Sequence, residues 1–123
     1  LFFFLMLLYN VKQRKTEKRL RGGMKMERLS LNEIQARLEH LSDWKLEGDR
    51  WITKRYRFTD FLNGIQFVNR IAELSEDIKH HPFITIEYKV VTLKLTSWRA
   101  KGLTDLDLDL AEKYDSIFLQ VAE

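Results

Sequence analysis

The sequence contains no cysteine, which excludes a disulfide framework, a thiolate nucleophile and any zinc site built on sulfur, and which points to a reducing, cytoplasmic setting. Proline occurs once, at Pro82, and the five glycines are not spaced as a phosphate-binding loop. There is no internal repeat. No apolar run approaches the ~20 residues needed to span a bilayer. The longest, residues 1–9, is nine residues and is followed by basic ones, the reverse of a secretory signal.

Charge is unevenly distributed. Residues 1–25 carry seven Lys or Arg against one Glu, which leaves fourteen positive and seventeen negative residues from Met26 onward. The basic character belongs to a tail, so no nucleic-acid partner is expected for the folded part, and no membrane either. Residues 1–25 are read as an extension outside the fold. The stretch Arg21-Gly22-Gly23 before Met26 is what a purine-rich ribosome-binding sequence would encode if translated. Residues 26–123 are expected to form one domain with a real core.

Within that domain the apolar periods alternate between helical and extended. Ser30 and Glu33 form a capping box before Leu31, Ile34, Leu38 and Leu41, which predicts a helix over about 31–41, with His40 on its surface. Trp44–Leu46 and Arg50–Phe58 flank Glu47-Gly48-Asp49 and predict a hairpin. One row of its second strand is Ile52, Lys54, Tyr56 and Phe58. A second helix, capped by Thr59 or Asp60, should run to about Asp77, with a stripe of Phe61, Ile65, Val68, Ala72 and Ser75 widened by Phe67, Ile71, Leu74 and Ile78. Two strands follow Pro82, over about 84–88 and 90–96, and Thr104–Asp107 opens a last helix to about Val121. The order αββαββα implies an α+β sandwich: a four-stranded antiparallel sheet with helices on one face. Ile117, Phe118 and Leu119 make the last helix apolar on more than one side, which suggests contact with another subunit.

Chemistry should concentrate between Glu76 and Asp107. This stretch holds His80 and His81, two of the three histidines, followed by Pro82, which biases the preceding residue away from helix. Two adjacent imidazoles can supply an acid and a base near neutral pH, although a hydrogen-bonded structural pair explains them equally well at this point. No metal site is expected, since neighbouring histidines seldom ligate one ion without suitably spaced carboxylates. Strand parity places Trp98 with Thr96 and Lys94, opposite Leu93 and Leu95, so it is either a ligand-facing ring or an aromatic at a subunit contact.

The spacing Glu76, His80-His81-Pro82, Tyr88, Trp98 and Asp107 resembles the signature of the pterin-4a-carbinolamine dehydratases, also called dimerization cofactor of a homeodomain transcription factor. The resemblance extends from Leu29 to about Ala122 and includes Trp44, Phe58-Thr59-Asp60-Phe61 and Gly102-Leu103-Thr104. It implies the αββαββα fold and dehydration of a 4a-hydroxytetrahydropterin, which recycles the cofactor of aromatic amino acid hydroxylases. It also implies no cofactor beyond the pterin substrate, and a homodimer or homotetramer. On that resemblance His80 and His81 would be the acid and base, Glu76 and Asp107 would orient them or the pterin, and Trp98, Tyr88 and Pro82 would bind substrate. At Trp98 the sequence departs from many members, which carry a third histidine there. A non-catalytic dimerising or pterin-binding module on the same fold is the alternative.

Overall fold

The computed structural model describes residues 27–122, so the extension read over residues 1–25 lies outside the described residues. Three helices and four strands follow in the expected order: α1 (Leu31–Leu38), β1 (Lys45–Glu47), β2 (Trp51–Arg57), α2 (Phe61–Ile78), β3 (Phe83–Glu87), β4 (Val90–Leu95) and α3 (Asp105–Val121). The sheet is antiparallel throughout, in the order β1-β2-β4-β3.

Alternation along the strands decides which face is covered. Ile52, Tyr56, Val91, Leu93 and Leu95 are buried with Ile34, Phe67, Ile71, Leu74, Leu108, Ala111 and Tyr114 from the helices in one core. Removing each of the larger apolar side chains from water contributes about 1.5–3 kcal/mol. Residues of the opposite rows, among them Thr53, Arg55, Arg57, Thr85 and Glu87, are partly or fully exposed. The first β hairpin turns at Gly48, whose φ of +66° is the left-handed conformation a glycine adopts without a Cβ penalty.

Two helices differ from their sequence periods. The first ends at Leu38, short of Leu41, because the chain tightens: His40 and Leu41 donate their N–H groups three residues back, to Arg37 and Leu38. In α2 the buried row is Gly64, Phe67, Ile71, Leu74 and Ser75, while Phe61 is exposed. Gly64 is the reason the sequence hides this row. It has no side chain to mark it as apolar, yet it packs in the core: a Cβ there would lie in van der Waals contact with Phe58 Cδ2 at 3.4 Å and Val91 Cγ2 at 3.6 Å.

Lys54 belongs to the inner row and is accommodated by Asp115 of α3. One carboxylate oxygen, Oδ1, accepts from Lys54 Nζ at 2.8 Å, Tyr56 OH at 2.6 Å and Trp44 Nε1 at 3.1 Å. Burial, reinforced by Asp115, pushes the Tyr56 phenol far above its ordinary value. Burial does the same for Tyr114, where the hydrogen bond with Ser75 acts in the opposite direction and the charge of Asp107 adds to the rise. The folded protein therefore keeps both phenolic protons where the unfolded chain loses them, above about pH 10. In that range the unfolded state binds fewer protons, so stability, fully present below about pH 10, falls as pH rises, by about 1.4 kcal/mol per pH unit for each tyrosine. Urea midpoints measured between pH 9 and 12 should fall steeply above pH ~10, and Tyr56→Phe should make that fall shallower. An equally steep fall in Tyr56→Phe would show that its ionisation is not linked to unfolding.

Candidate active site

The histidine pair is aimed by the end of α2. Lys79 takes a left-handed conformation (φ 60°, ψ 40°), and both its N–H and that of His80 return to the carbonyl of Ser75. The chain thus turns at Lys79, three residues before Pro82, where the sequence places the break. The turn sends the two histidines to different carboxylates.

His80 Nε2 lies 2.7 Å from Asp107 Oδ1, in the first turn of α3, and His81 Nε2 lies 2.7 Å from Glu76 Oε2, in the last turn of α2. The pairs differ in their surroundings. Asp107 is fully buried and the His80 side chain is 15% exposed, whereas His81 and Glu76 are 57% and 77% exposed. Adjacent residues leaving a turn in opposite directions have become one sheltered pair and one open pair at the same rim of the sheet.

The sheltered pair has a deep foundation. Asp107 Oδ2 accepts from Ser97 Oγ at 2.7 Å and from the Thr104 amide at 2.9 Å, the bond that caps the start of α3, and Ser97 Oγ lies 3.0 Å from Thr104 Oγ1. Ser97 is fixed in turn by backbone bonds to and from Gly102, which close the short loop carrying Trp98. Beneath the site, Tyr114 OH and Ser75 Oγ, 3.1 Å apart, tie α3 to α2.

Trp98 is 67% exposed on the solvent face of the sheet, as parity predicts, but Thr96 is not beside it. Strand β4 has ended at Leu95, and Thr96 turns inward to donate its hydroxyl to the Arg50 carbonyl. Trp98 packs against Trp51 of β2, with ring centroids 5.3 Å apart, and Phe83 of β3, at 6.1 Å; Trp51 and Phe83 are 4.9 Å apart. Lys94 lies over Trp51 at 5.0 Å and pairs with Glu47 at 2.8 Å. Sequence reasoning missed Trp51 and Phe83 as companions of Trp98. The signal lies in the register, since Lys94 pairs with Phe83 on one side and its neighbour Leu95 pairs with Ile52, next to Trp51, on the other.

Of the sequence-predicted residues, Glu76, His80, His81 and Asp107 are brought together in these two pairs, Pro82 follows them in the chain, and Trp98 is joined to them through its neighbour Ser97, which bonds Asp107. Tyr88 does not join them within the chain. It occupies the β3–β4 turn at φ 52°, about 17 Å along the strand at ~3.3 Å per residue, and packs on Phe61 with centroids 6.4 Å apart. Among the described residues no group of three His, Cys, Asp or Glu side chains is placed to hold a metal ion. No helix among them is long and apolar enough to cross a membrane.

The family model for pterin 4 alpha carbinolamine dehydratase matches residues 27–117. A protein of Picosynechococcus sp. provisionally named pterin-4-alpha-carbinolamine dehydratase is 42% identical over 90 residues, covering 73% of this chain and 97% of its own. A protein of Sulfurisphaera tokodaii with the same provisional name is 36% identical over 92 residues, covering 75% and 98%. Among solved structures, a transcriptional coactivator/pterin dehydratase from Brucella melitensis is similar with a TM-score of 0.71 and 30% identity, covering 74% of this chain and 98% of that one.

Proposed function

The chain belongs to the pterin-4a-carbinolamine dehydratase family, and we propose that it converts a 4a-hydroxytetrahydropterin to quinonoid dihydropterin and water. The observation that carries this reading is the pair of histidines, each with its own carboxylate, at one rim of the sheet. Dehydration moves two protons. An imidazolium gives one to the 4a-hydroxyl, whose C–O bond breaks to release water, and a neutral imidazole takes one from the adjacent ring nitrogen as the C=N bond forms. Net proton count is unchanged, and the more exposed His81 can exchange with solvent to reset the site.

The ring cluster of Trp51, Phe83 and Trp98 supports the pterin as substrate, because a flat heteroaromatic ring can stack on exposed aromatic faces. The indole of Trp98 has no proton to exchange near neutrality, so its part is binding. That same property favours a second reading, a pterin-binding module that does not turn over. One experiment separates the two. Carbinolamine generated by an aromatic amino acid hydroxylase, the enzyme class that would supply the substrate, is followed by absorbance with and without this protein. Acceleration over the uncatalysed reaction is expected, with Trp98→Phe raising KM more than it lowers kcat and Trp98→His matching or exceeding the parent kcat. Tight pterin binding with no acceleration would establish the module instead. Leu119, 66% exposed on α3, with Phe61 and Tyr88, provides apolar surface for the proposed homodimer or homotetramer, which sedimentation of the same preparation would detect and a micromolar monomer would exclude.

A further inference from the structure

Asp107 has two oxygens with different tasks. Oδ2 is committed to the protein, accepting from the Ser97 hydroxyl and the Thr104 amide, and Oδ1 is turned toward His80. The Ser97 proton points at Asp107 Oδ2, and the Thr104 hydroxyl, 3.0 Å from Ser97 Oγ and 3.4 Å from the same Oδ2, donates to one of these two oxygens, the nearer being Ser97. Ser97, Thr104 and Asp107 are all buried, at 4%, 1% and 0% exposure, so water does not compete for these bonds. A carboxylate whose one oxygen is pinned by two donors cannot rotate. Its other oxygen becomes a fixed acceptor.

We propose that Ser97 is a positioning residue for the reaction: by fixing Asp107 it holds neutral His80 in the tautomer protonated at Nε2 and leaves Nδ1 as the nitrogen that meets the pterin. This rests on the dehydratase reading for its consequence, but the tautomer itself does not. An ionised carboxylate accepts and cannot donate, so a neutral imidazole 2.7 Å from Asp107 Oδ1 through Nε2 carries its proton there. The lone pair is then on Nδ1. His81 has no equivalent anchor, because its partner Glu76 is exposed and free to change rotamer. The two histidines are thus unequal: His80 is a base of fixed aim, and His81 is an acid that exchanges with solvent. Ser97 acts through Asp107 and touches no substrate.

The test reads the tautomer and the rate separately. Nitrogen-15 NMR of the histidine rings in the native protein, at a pH where His80 is neutral, should show the proton on Nε2; a proton on Nδ1 overturns the proposal without any variant. Ser97→Ala should give a mixture of tautomers and lower kcat by about 10- to 100-fold, the scale of a misaligned catalytic group, with KM changed less than about threefold. Ser97→Thr, which keeps the hydroxyl, should restore both. The side chain is not part of the backbone bridge to Gly102, so Ser97→Ala should still fold, as thermal unfolding would verify. If it does not, Ser97→Cys, whose thiol is a weaker donor, takes its place with the same two readouts. Unchanged kcat in a folded Ser97→Ala would overturn the positioning role while leaving the dehydratase reading intact. Mixed tautomers in Ser97→Ala, with the native protein protonated at Nε2 and never accelerating dehydration, would support the positioning and remove the dehydratase reading.

Discussion

His80→Ala is expected to lower the dehydration rate by at least two orders of magnitude and to destabilise the fold, whereas His81→Ala should lose a comparable rate at almost parental stability. One positioned acid or base is typically worth about 10²–10⁴-fold, and with an indole at Trp98 no third imidazole stands in for the one removed. The stability difference follows from exposure. Deleting His80 strips Oδ1 of a fully buried carboxylate of its partner, which costs on the order of 1–3 kcal/mol. In a domain of this size each kcal/mol shifts Tm by about 4–8 °C. Deleting His81 frees an exposed Glu76 to water, and the change should stay within about 0.5 kcal/mol. Single-turnover rates and thermal melts of both variants would check this. Equal melting of the two would refute the sheltered-and-open division, and near-parental rates for both would remove the catalytic assignment.

The largest loss of stability should come from a residue with no part in the chemistry. Asp115→Ala leaves Lys54, 11% exposed, without its counter-ion and removes the acceptor shared by Tyr56 and Trp44. Breaking a largely buried pair by removing one partner costs about 3–5 kcal/mol, because the remaining charge is left without compensation. Asp115 lies eight residues beyond Asp107 on α3, about 12 Å at 1.5 Å per residue, so the folded fraction should retain its kcat. Chemical denaturation and active-site titration together separate these effects. A loss below ~1 kcal/mol would mean that the lysine escapes to water when its partner is gone. Asp115→Asn, which keeps an acceptor oxygen and drops the charge, should fall between parent and alanine.

What the sequence made legible was whatever repeats locally. Alternation in β2 and β4 and the capping residues Ser30, Asp60 and Thr104 located the elements, and the order αββαββα followed from them. The site residues Glu76, His80, His81 and Asp107 were legible through a spacing that resembles a known family, and the structure brings each histidine to one of those carboxylates. Residues whose importance is non-local stayed hidden. Ser97 was not singled out, since it lies just past the strand expected over 90–96, and only the fold shows its hydroxyl reaching the first turn of α3. Asp115 drew no attention in the sequence, because nothing local shows that Trp44, Lys54 and Tyr56 converge on it. The turn at Lys79 was missed because an αL lysine lacks the glycine that usually marks such a cap. Tyr88 was drawn into the site by spacing alone, and a two-residue turn puts it at the other end of the hairpin.

The bond between His80 and Asp107 joins residues 27 apart in sequence, with the whole β3–β4 hairpin lying between them. Thermodynamically the site is therefore a closed loop. Fraying at the chain ends leaves it untouched, whereas undocking the hairpin separates His80 from Asp107 and withdraws Ser97 in a single event. Because β4 is a central strand carrying Val91, Leu93 and Leu95 of the core, that event is the unfolding of the domain itself, so activity in a destabilised variant or at rising temperature disappears with the global transition.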